Sequence, residues 1–368
     1  MNHIYSKVWN HTLGAFVVAS ELASRQTRTG SGTAARALAM SALATALVPA
    51  MAQTVRVDER QTTGDFERGV YIDAWDDTTP VDVVAGRIDT AGRWADGILV
   101  RTGGSIRIDS GHVTISGAGA QGVVGISNTG DIDIRSGTVE SRFDGELPAD
   151  VQDHSVLTGV FGAGVWASSA LGSVRVESGE VVARGPNAYG VGAETGWGVG
   201  NSTGSVTLVS ERVQTHGVRG IGLYANAAGS GPVSVASGEV DTYGDGGHGI
   251  WATSGGGGVS VEAEVTSTDG TRAFGIAAQG DGPIRVRAGE VLTAGDLSMG
   301  ILGFSGASSV DIDSGYVGTT GREAHGIAAY GYAGARVLAD EVQTWGQGAI
   351  GIDAAASGGE VSIQAGRV

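Results

Sequence analysis

Residues 233–250 read VSVASGEVDTYGDGGHGI, and this stretch contains both parts of a repeat that recurs along most of the chain. The first part alternates apolar and polar residues until Gly238 interrupts it, a pattern typical of a half-buried strand with a bend. The second part is Gly244, four variable residues, Gly249 and an aliphatic residue. Each repeat is therefore predicted to contain two or three short strands and a glycine corner.

The corner unit of glycine, four residues, glycine and an aliphatic residue occurs eleven times. The units begin at Gly64, Gly92, Gly117, Gly159, Gly185, Gly217, Gly244, Gly270, Gly295, Gly321 and Gly346. Most second glycines lie 25 to 28 residues apart, and two longer intervals contain insertions at about 142–157 and 194–204. No segment shows the 3.6-residue pattern of a crossover helix. A fixed period built from short strands favours a coil in which each strand pairs with its equivalent one turn away.

The predicted fold class is therefore all-β, a right-handed parallel β-helix of about eleven turns. Branched residues at equivalent positions are expected to stack into two buried ladders. The first ladder is predicted to hold Ile98, Val165, Ile250, Ile276, Ile301, Ile327 and Ile352. The second is predicted to hold Val113, Val181, Val213, Val240, Val265, Val291, Val317 and Val342. The glycines are assigned to corners, where they supply positive φ or room for close chain approach.

The composition narrows the class of protein and its partners. Glycine occupies 65 of 368 positions, but only 6 prolines and no G-X-Y period are present, which excludes collagen. With 41% hydrophobic residues a disordered chain is not expected. The absence of cysteine excludes disulfides and thiolate metal sites. A net charge of −16 predicts no nucleic-acid partner, because an acidic surface repels phosphate.

The N-terminus carries an export signal. Residues 37–50 form the apolar run ALAMSALATALVPA behind Arg36, and Ala50, Met51 and Ala52 then give the small-x-small pattern of a signal peptidase site. We predict cleavage between Ala52 and Gln53, which divides the chain into a signal peptide at 1–52 and a passenger at 53–368. The leader is expected to be helical or disordered, and its apolar run is too short to span a bilayer.

Upstream of that run, the leader is unusually long and opens MNHIYSKVWNHTLGAFVVASELA. Residues 1–24 resemble the extended signal peptide region of large type V secretion substrates of Gram-negative bacteria, which include autotransporters, trimeric adhesins and two-partner exoproteins. The matching residues are Asn2, Ile4, Tyr5, Val8, Trp9, Asn10, Gly14, Val17, Val18, Ser20 and Glu21. The resemblance implies export through the periplasm to the outer-membrane surface or the extracellular space. It also implies three partners: the inner-membrane translocon, an outer-membrane barrel and the barrel's assembly factors.

The repeat resembles those of the pertactin-like β-helical passengers of autotransporters. It consists of V-x-V-x-S-G-x-V followed by T-x-G-x-x-x-x-G-I and covers roughly residues 55–368. This likeness implies an adhesin or interaction rod. The chain stops at Val368 inside a repeat, so we expect a truncated passenger, and an in-frame barrel downstream would identify an autotransporter. A two-partner exoprotein is the second alternative. The heptads of a trimeric adhesin are absent.

The residues that could carry chemistry do not form a convincing active site in the sequence. Ser110 lies in an I-D-S-G setting close to that of serine protease passengers, but similar serines recur at 136, 178, 237 and 314, as bend residues would. A secreted polysaccharide lyase or hydrolase is the enzyme alternative, and such chemistry needs converging carboxylates. The candidates by residue type are Asp76, Asp77, Asp131, Asp133, Asp311 and Asp313. The histidines outside the leader are scattered at 112, 154, 216, 248 and 325. We expect no enzyme, no cofactor and no metal.

The candidate ligand-contact residues are aromatic. Tyr71, Trp166, Tyr224 and Trp251 each follow a ladder residue, so alternation points them outward, and Trp197 lies in the insertion at 194–204. Rings on a rigid face predict contacts with a protein or glycan of a host or neighbouring cell surface. The alternative is that these rings cover small corner residues.

Overall fold

The computed structural model describes residues 5–10, 15–20, 52–143, 162–198 and 202–368. The chain divides into two compact units, Met1–Pro49 and Ala50–Val368. In the first unit, strands β1 (Tyr5–Asn10) and β2 (Ala15–Ser20) pair antiparallel, with Val8 opposite Val17. The expectation of a helical or disordered leader is therefore wrong for these residues, which are rich in the aromatic and β-branched types that favour strands.

The second unit is built from two long parallel sheets. The twelve-stranded sheet contains β3 (Gln53–Thr62), β5 (Val81–Thr90), β7 (Ile106–Ile115), β9 (Ile132–Ser141), β11 (Val174–Arg184), β13 (Val206–His216), β15 (Val233–Tyr243), β17 (Val259–Asp269), β19 (Ile284–Ala294), β21 (Ser309–Thr320), β23 (Gly334–Trp345) and β25 (Val361–Arg367). The eleven-stranded sheet contains β4 (Val70–Ala74), β6 (Ile98–Thr102), β8 (Val123–Ser127), β10 (Val165–Ser169), β12 (Tyr189–Thr195), β14 (Ile221–Ala227), β16 (His248–Ser254), β18 (Phe274–Gly280), β20 (Met299–Ser305), β22 (His325–Gly331) and β24 (Ile352–Ala356).

Successive strands alternate between the two sheets, and each strand pairs in parallel with strands one turn before and one turn after it. This arrangement confirms an all-β parallel β-helix of about eleven turns, with two strands in each turn. The part of the chain that the structure describes contains no helix, and therefore none long and apolar enough to cross a membrane. Gln53, the residue after the predicted cleavage site, is the first residue of β3 and donates its backbone N–H to the Pro80 carbonyl at 2.8 Å.

The two predicted ladders form the buried core between the sheets. The first is confirmed, since Ile250, Ile276 and Ile301 occupy consecutive register positions and are fully buried. The second is confirmed except for Val265. In β17 the residue in register with Val240 and Val291 is Thr266, whereas Val265 lies opposite Glu239 and Glu290. The prediction for Val265 was wrong because a shift of one residue moves a side chain to the other face of a strand.

The bend predicted in the first strand of each repeat reverses which side chains face inward. In β7 Ile106, Ile108 and Ser110 are buried before the bend, and after it Val113, Thr114 and Ile115 are buried, of which Val113 and Ile115 are the apolar inward positions. Two residues, Gly111 and His112, therefore lie between consecutive inward positions, as in a bulge. The bend allows one strand to serve two walls of the coil.

The two glycines of each corner unit are needed for different physical reasons. The first glycine has positive φ in many turns, as at Gly217 (139°) and Gly244 (132°). The second glycine lies where neighbouring turns come closest. A Cβ on Gly222 would be 2.4 Å from Cγ1 of Val240 and 2.6 Å from the Gly249 carbonyl oxygen. In the unit G-x-x-x-x-G, the first glycine is therefore required for a positive φ, and the second because a side chain would clash with the neighbouring turn.

The third residue of the corner unit adopts the left-handed conformation, and it is often not glycine. The residues concerned have φ between 54° and 63° and are Phe66, Trp94, Asn187, Arg219, Arg272, Leu297 and Glu323. A side chain at such φ costs about 1–2 kcal/mol relative to ordinary backbone. The hydrogen-bonded stacking of the turns holds this conformation, as when the Arg272 N–H donates to the Asp296 carbonyl at 2.9 Å.

Candidate binding face

The outer face of the eleven-stranded sheet carries two columns of side chains. The column next to the first ladder is Tyr71, Leu99, Val124, Trp166, Gly192, Tyr224, Trp251, Ala277, Leu302, Ala328 and Asp353. The column two residues further along each strand is Asp73, Arg101, Ile126, Ser168, Glu194, Asn226, Thr253, Gln279, Phe304, Tyr330 and Ala355. The four predicted rings that follow a ladder residue all belong to the first column.

Trp166 lies on this outer face, but the expectation that it is presented to solvent is wrong, because the residue is only 2% exposed. Its neighbour in the next turn is Gly192, and the indole fills the space that a side chain would occupy there. A Cβ on Gly192 would be 2.3 Å from Cε3 of Trp166. Beyond the glycine, the indole stacks on Tyr224 with ring centroids 5.9 Å apart and planes 14° apart. Trp166 therefore packs, as the covering alternative proposed.

The other predicted rings differ in exposure. Tyr71 is 50% exposed, and the Arg68 guanidinium lies 4.5 Å from its ring centroid. Tyr224 and Trp251 are half-buried. Tyr224 also meets Tyr189 edge to face at 5.4 Å, and Trp251 packs against His248 at 4.8 Å. The first column is thus an aromatic covering of the sheet with only some ring faces open to solvent.

Trp197 is 36% exposed and comes close to a residue that the sequence did not single out. Its ring centroid is 6.1 Å from that of Trp75, although the two residues belong to turns far apart in the chain. The Arg101 guanidinium carbon lies 5.4 Å from the Trp75 centroid, and its Nη1 is 3.3 Å from Oδ2 of Asp73. Trp75 packs against the buried group that includes Val124, Ile126 and Trp166. No spacing rule in the sequence joins Trp75 to Trp197.

Glu194 is a half-buried carboxyl in the second column, next to the aromatic covering. Ser168 Oγ donates a hydrogen bond to its Oε1 at 2.8 Å. Burial raises the pKa of the Glu194 carboxyl, while the hydrogen bond from Ser168 opposes this shift. Burial, with a smaller contribution from the Glu194 charge, also raises the pKa of Tyr224. Glu194 was missed because an acid at an outward strand position is ordinary in a solenoid, and strand alternation does not reveal that it is half-buried.

Two donors in the same part of this face have no hydrogen-bond partner among the described residues. They are Nε1 of Trp166 and Nε of Arg101, and both atoms are buried. Buried polar atoms without partners are uncommon in folded proteins, and each one marks a place where a water or a ligand atom would be stabilised. The aromatic covering is therefore accompanied by unused hydrogen-bonding capacity.

Two of the candidate carboxylates, Asp131 and Asp133, line one groove beside the twelve-stranded sheet, and the contacts of the candidates are with other groups. Asp131 accepts a hydrogen bond from the Ser173 backbone N–H at 2.8 Å. Asp133 lies 3.6 Å from Arg135, and Asp311 lies 2.7 Å from Arg336. Hydrogen bonds from Thr79 lower the pKa of Asp77. Asp133 and Asp311 belong to ladders of alternating charge on the outside of the twelve-stranded sheet, where Arg135 also pairs with Glu177 at 3.2 Å. Cross-strand pairs of opposite charge stabilise neighbouring strands.

The serines of the repeat face the interior of the coil just before the bend. Ser110, Ser136, Ser178, Ser237 and Ser314 are 3–8% exposed. Ser178 Oγ donates to Ser210 Oγ of the next turn at 2.9 Å. Their place between the sheets makes them part of the packing in every turn that contains them.

Three of the described histidines lie in separate turns and contact residues of adjacent turns. His216 stacks on Tyr243 at 4.8 Å. Nδ1 of His248 accepts the Phe274 backbone N–H at 3.1 Å, and Nδ1 of His325 accepts the Ile350 backbone N–H at 3.0 Å. Burial lowers the pKa of His248 to about 4. Within the described ranges no three His, Cys, Asp or Glu side chains are grouped as metal ligands.

His112 lies beside Thr114, with its Nε2 3.0 Å from Oγ1 of that residue. His154 and most of the insertion at about 142–157 fall outside the described residues, as does Ala50 of the predicted cleavage site. Cleavage after Ala52 stays a prediction.

The second unit is thus a β-solenoid with a charged outer face and an aromatic outer face. Residues 1–50 match the family described as the Extended Signal Peptide of Type V secretion system. This match confirms the resemblance seen in residues 1–24. The leader and the solenoid together fit the passenger of an autotransporter, a substrate of type V secretion. Comparison with curated proteins and comparison with solved structures gave no match.

Proposed function

We propose that the passenger is exposed on the bacterial surface or released from it, and that it acts as an adhesin or interaction rod without catalysing a reaction. The observation that carries this proposal is the outer face of the eleven-stranded sheet. Tyr71 is open to solvent there and Trp197 is open to solvent just beyond the end of β12, while the ladders beneath the sheet form its buried core. Rings held on a rigid scaffold lose little conformational entropy on binding, and this favours recognition.

The repeat also supports many weak contacts in place of one strong contact. The register brings equivalent positions into line along the face, turn after turn. Contacts made at several turns act together, because each one raises the effective concentration for the next. The partner under this proposal is a protein or glycan on a host or neighbouring cell. The type V export machinery is the partner during secretion.

The alternative of a polysaccharide lyase or hydrolase has less support. Glycoside hydrolysis requires two carboxyl groups on opposite sides of one bond. Among the described residues, Asp133 and Asp311 are paired with arginines, and no other carboxylate contributes to the shifted pKa of Glu194. Carboxyl groups that are not paired with a second carboxyl group across one bond favour a binding role over glycoside cleavage.

The proposal is tested with the full gene in a Gram-negative host that exports it. The gene is deleted and then restored, and adherence to cultured cells, to immobilised matrix proteins and to other bacteria is measured. Deletion is expected to reduce adherence to at least one surface, and restoration is expected to recover it. Equal adherence of both strains on every surface would overturn the proposal. Release of reducing sugars from polysaccharides by the exported protein would overturn its non-catalytic part.

A further inference from the structure

We infer that Trp75, Arg101, Ser168, Glu194 and Trp197 form a binding site for a neutral glycan, and this inference rests on the binding role proposed above. These residues are called the Trp75–Trp197 site. Arg101 and Glu194 belong to the same outward column and are three strands apart, which corresponds to roughly 14 Å at the usual strand spacing. That length suits an oligosaccharide lying across the strands.

The apolar part of the site is formed by Trp75 and Trp197. Their planes are tilted by 38°, so the two ring faces are not used up by stacking on each other. Trp197 is 36% exposed, and Trp75 is supported from below by the buried group around Ile126 and Trp166. A sugar ring has an apolar C–H face that packs on an aromatic face, and a rim of hydroxyl groups that needs hydrogen bonds.

The polar part of the site matches that rim. Glu194 offers a carboxyl held by Ser168, and burial raises its pKa, so it binds a neutral hydroxyl at a lower desolvation cost than a fully solvated carboxylate would. The guanidinium of Arg101, whose side chain is 24% exposed, supplies donors to the same rim. A ligand hydroxyl accepts from it directly or through an ordered water.

The surroundings favour a neutral glycan over a protein or an anionic glycan. A stable protein interface buries about 800 Å² on each partner around an apolar centre. Here the second column continues into Asn226, Thr253 and Gln279, so the exposed apolar area is short and bordered by polar groups. Asp73 and Glu194 lie within the column, and the chain carries a net charge of −16. Uronate, sulfate or sialate groups would meet repulsion at this site.

The test uses the exported protein on an array of neutral, anionic and amino-sugar oligosaccharides. The affinity for the best neutral oligosaccharide is then measured by calorimetry. W197A and E194Q are expected to weaken binding roughly tenfold or more, because they remove a ring face and a carboxyl group. E194Q keeps an oxygen that accepts the hydrogen bond from Ser168, so a fold defect is not expected.

The matched control is F304A. Phe304 is 47% exposed and lies in the same outward column, four turns beyond Glu194. F304A is expected to leave the affinity unchanged, and all three variants are expected to keep the circular dichroism and unfolding midpoint of the parent. An equal loss of affinity in F304A and W197A would overturn the site.

The remaining outcomes separate this inference from the proposed function. If the protein binds no neutral glycan, or binds anionic glycans alone, while deletion of the gene still reduces adherence, the site is wrong and the adhesive role stands. If W197A and E194Q bind the neutral glycan as the parent does, the site is also wrong. If glycan binding follows these variants but deletion leaves adherence unchanged, the site is right and the adhesive role is wrong.

Discussion

The two outer faces of the solenoid differ, although they enclose the same core. The twelve-stranded sheet presents ladders of alternating charge, as where Arg135 lies between Asp133 and Glu177. The eleven-stranded sheet presents aromatic rings, of which Trp166 is buried and Tyr71 is open to solvent. Side chains alternate between the faces of a strand, so inward positions must stack while outward positions vary independently. The two faces can therefore serve solubility and recognition separately.

Replacing Trp166 by alanine is expected to give the largest loss of stability. The ring is 2% exposed and covers Gly192, so its removal leaves a cavity against Tyr224. The free energy of unfolding is expected to fall by about 3–5 kcal/mol. Chemical denaturation followed by circular dichroism measures the change. The control is Phe304→Ala, since Phe304 is on the same sheet but 47% exposed, and a loss there as large as for Trp166 would contradict the packing role.

Lowering the pH is expected to reduce the free energy of unfolding through His248, which packs among the rings of the aromatic face. The unfolded histidine takes up a proton near pH 6.5, but burial lowers the folded pKa to about 4. Between these values the unfolded state binds more protons, so the free energy of unfolding falls as pH decreases from 6.5 to 4. The contribution of this one group is on the order of 3 kcal/mol at full extent.

His248→Phe removes this titration, so between pH 7 and pH 4.5 the free energy of unfolding should fall less in the variant than in the parent. His325→Phe is the matched control, because it occupies the same column three turns away and also accepts a backbone N–H. An unchanged pH dependence in the His248 variant would show that His248 is not responsible.

At the corners that join the two faces, Arg272→Gly is expected to stabilise the protein slightly. Arg272 has φ of 57°, and glycine adopts this conformation without strain. Because glycine also loses more entropy on folding, the net gain is about 0.5–1 kcal/mol. Gly246→Ala tests the same position one turn earlier, where φ is 67°, and should destabilise by about 1 kcal/mol. Opposite signs are expected in thermal unfolding, and equal signs would refute strain at this position.

The smallest effect is expected on the charged face. Arg135 is 47% exposed, so Arg135→Gln should lower the free energy of unfolding by less than about 1 kcal/mol. The difference from the parent should shrink further in 1 M salt, where screening is strong. Arg175→Gln provides a comparison, because Arg175 pairs with the same Glu177. A loss as large as that of Trp166→Ala would mean that the two faces do not differ energetically in the way described.

The sequence was sufficient to predict the parallel β-helix, because glycine spacing and apolar alternation act locally and repeat in every turn. The prediction for Val265 was wrong because the valines that follow the bend in each repeat were matched by residue type and not by their position along the strand. Counting seven residues from Val259, as from Val233 to Val240, gives Thr266. The burial of Trp166 could also have been predicted from the sequence. Its neighbour in the next turn is Gly192, which has no side chain and leaves room for the indole.

The meeting of Trp75 and Trp197 could not be predicted in this way. Each residue lies beyond the end of its strand, where the register no longer fixes its position. Strand alternation also places Glu194 at an outward position, although the structure shows it half-buried. Local periodicity determines the coil, whereas the candidate site depends on how side chains from several turns fill the space outside it.

Because each strand of the coil pairs only with its equivalents in the turns before and after it, the growing end of the structure is a template for the next turn, which in most repeats is 25 to 28 residues long. Order can therefore advance as a front, one winding at a time, without waiting for distant parts of the chain. For a polypeptide delivered through a narrow opening, each newly arrived segment needs only the last winding already laid down.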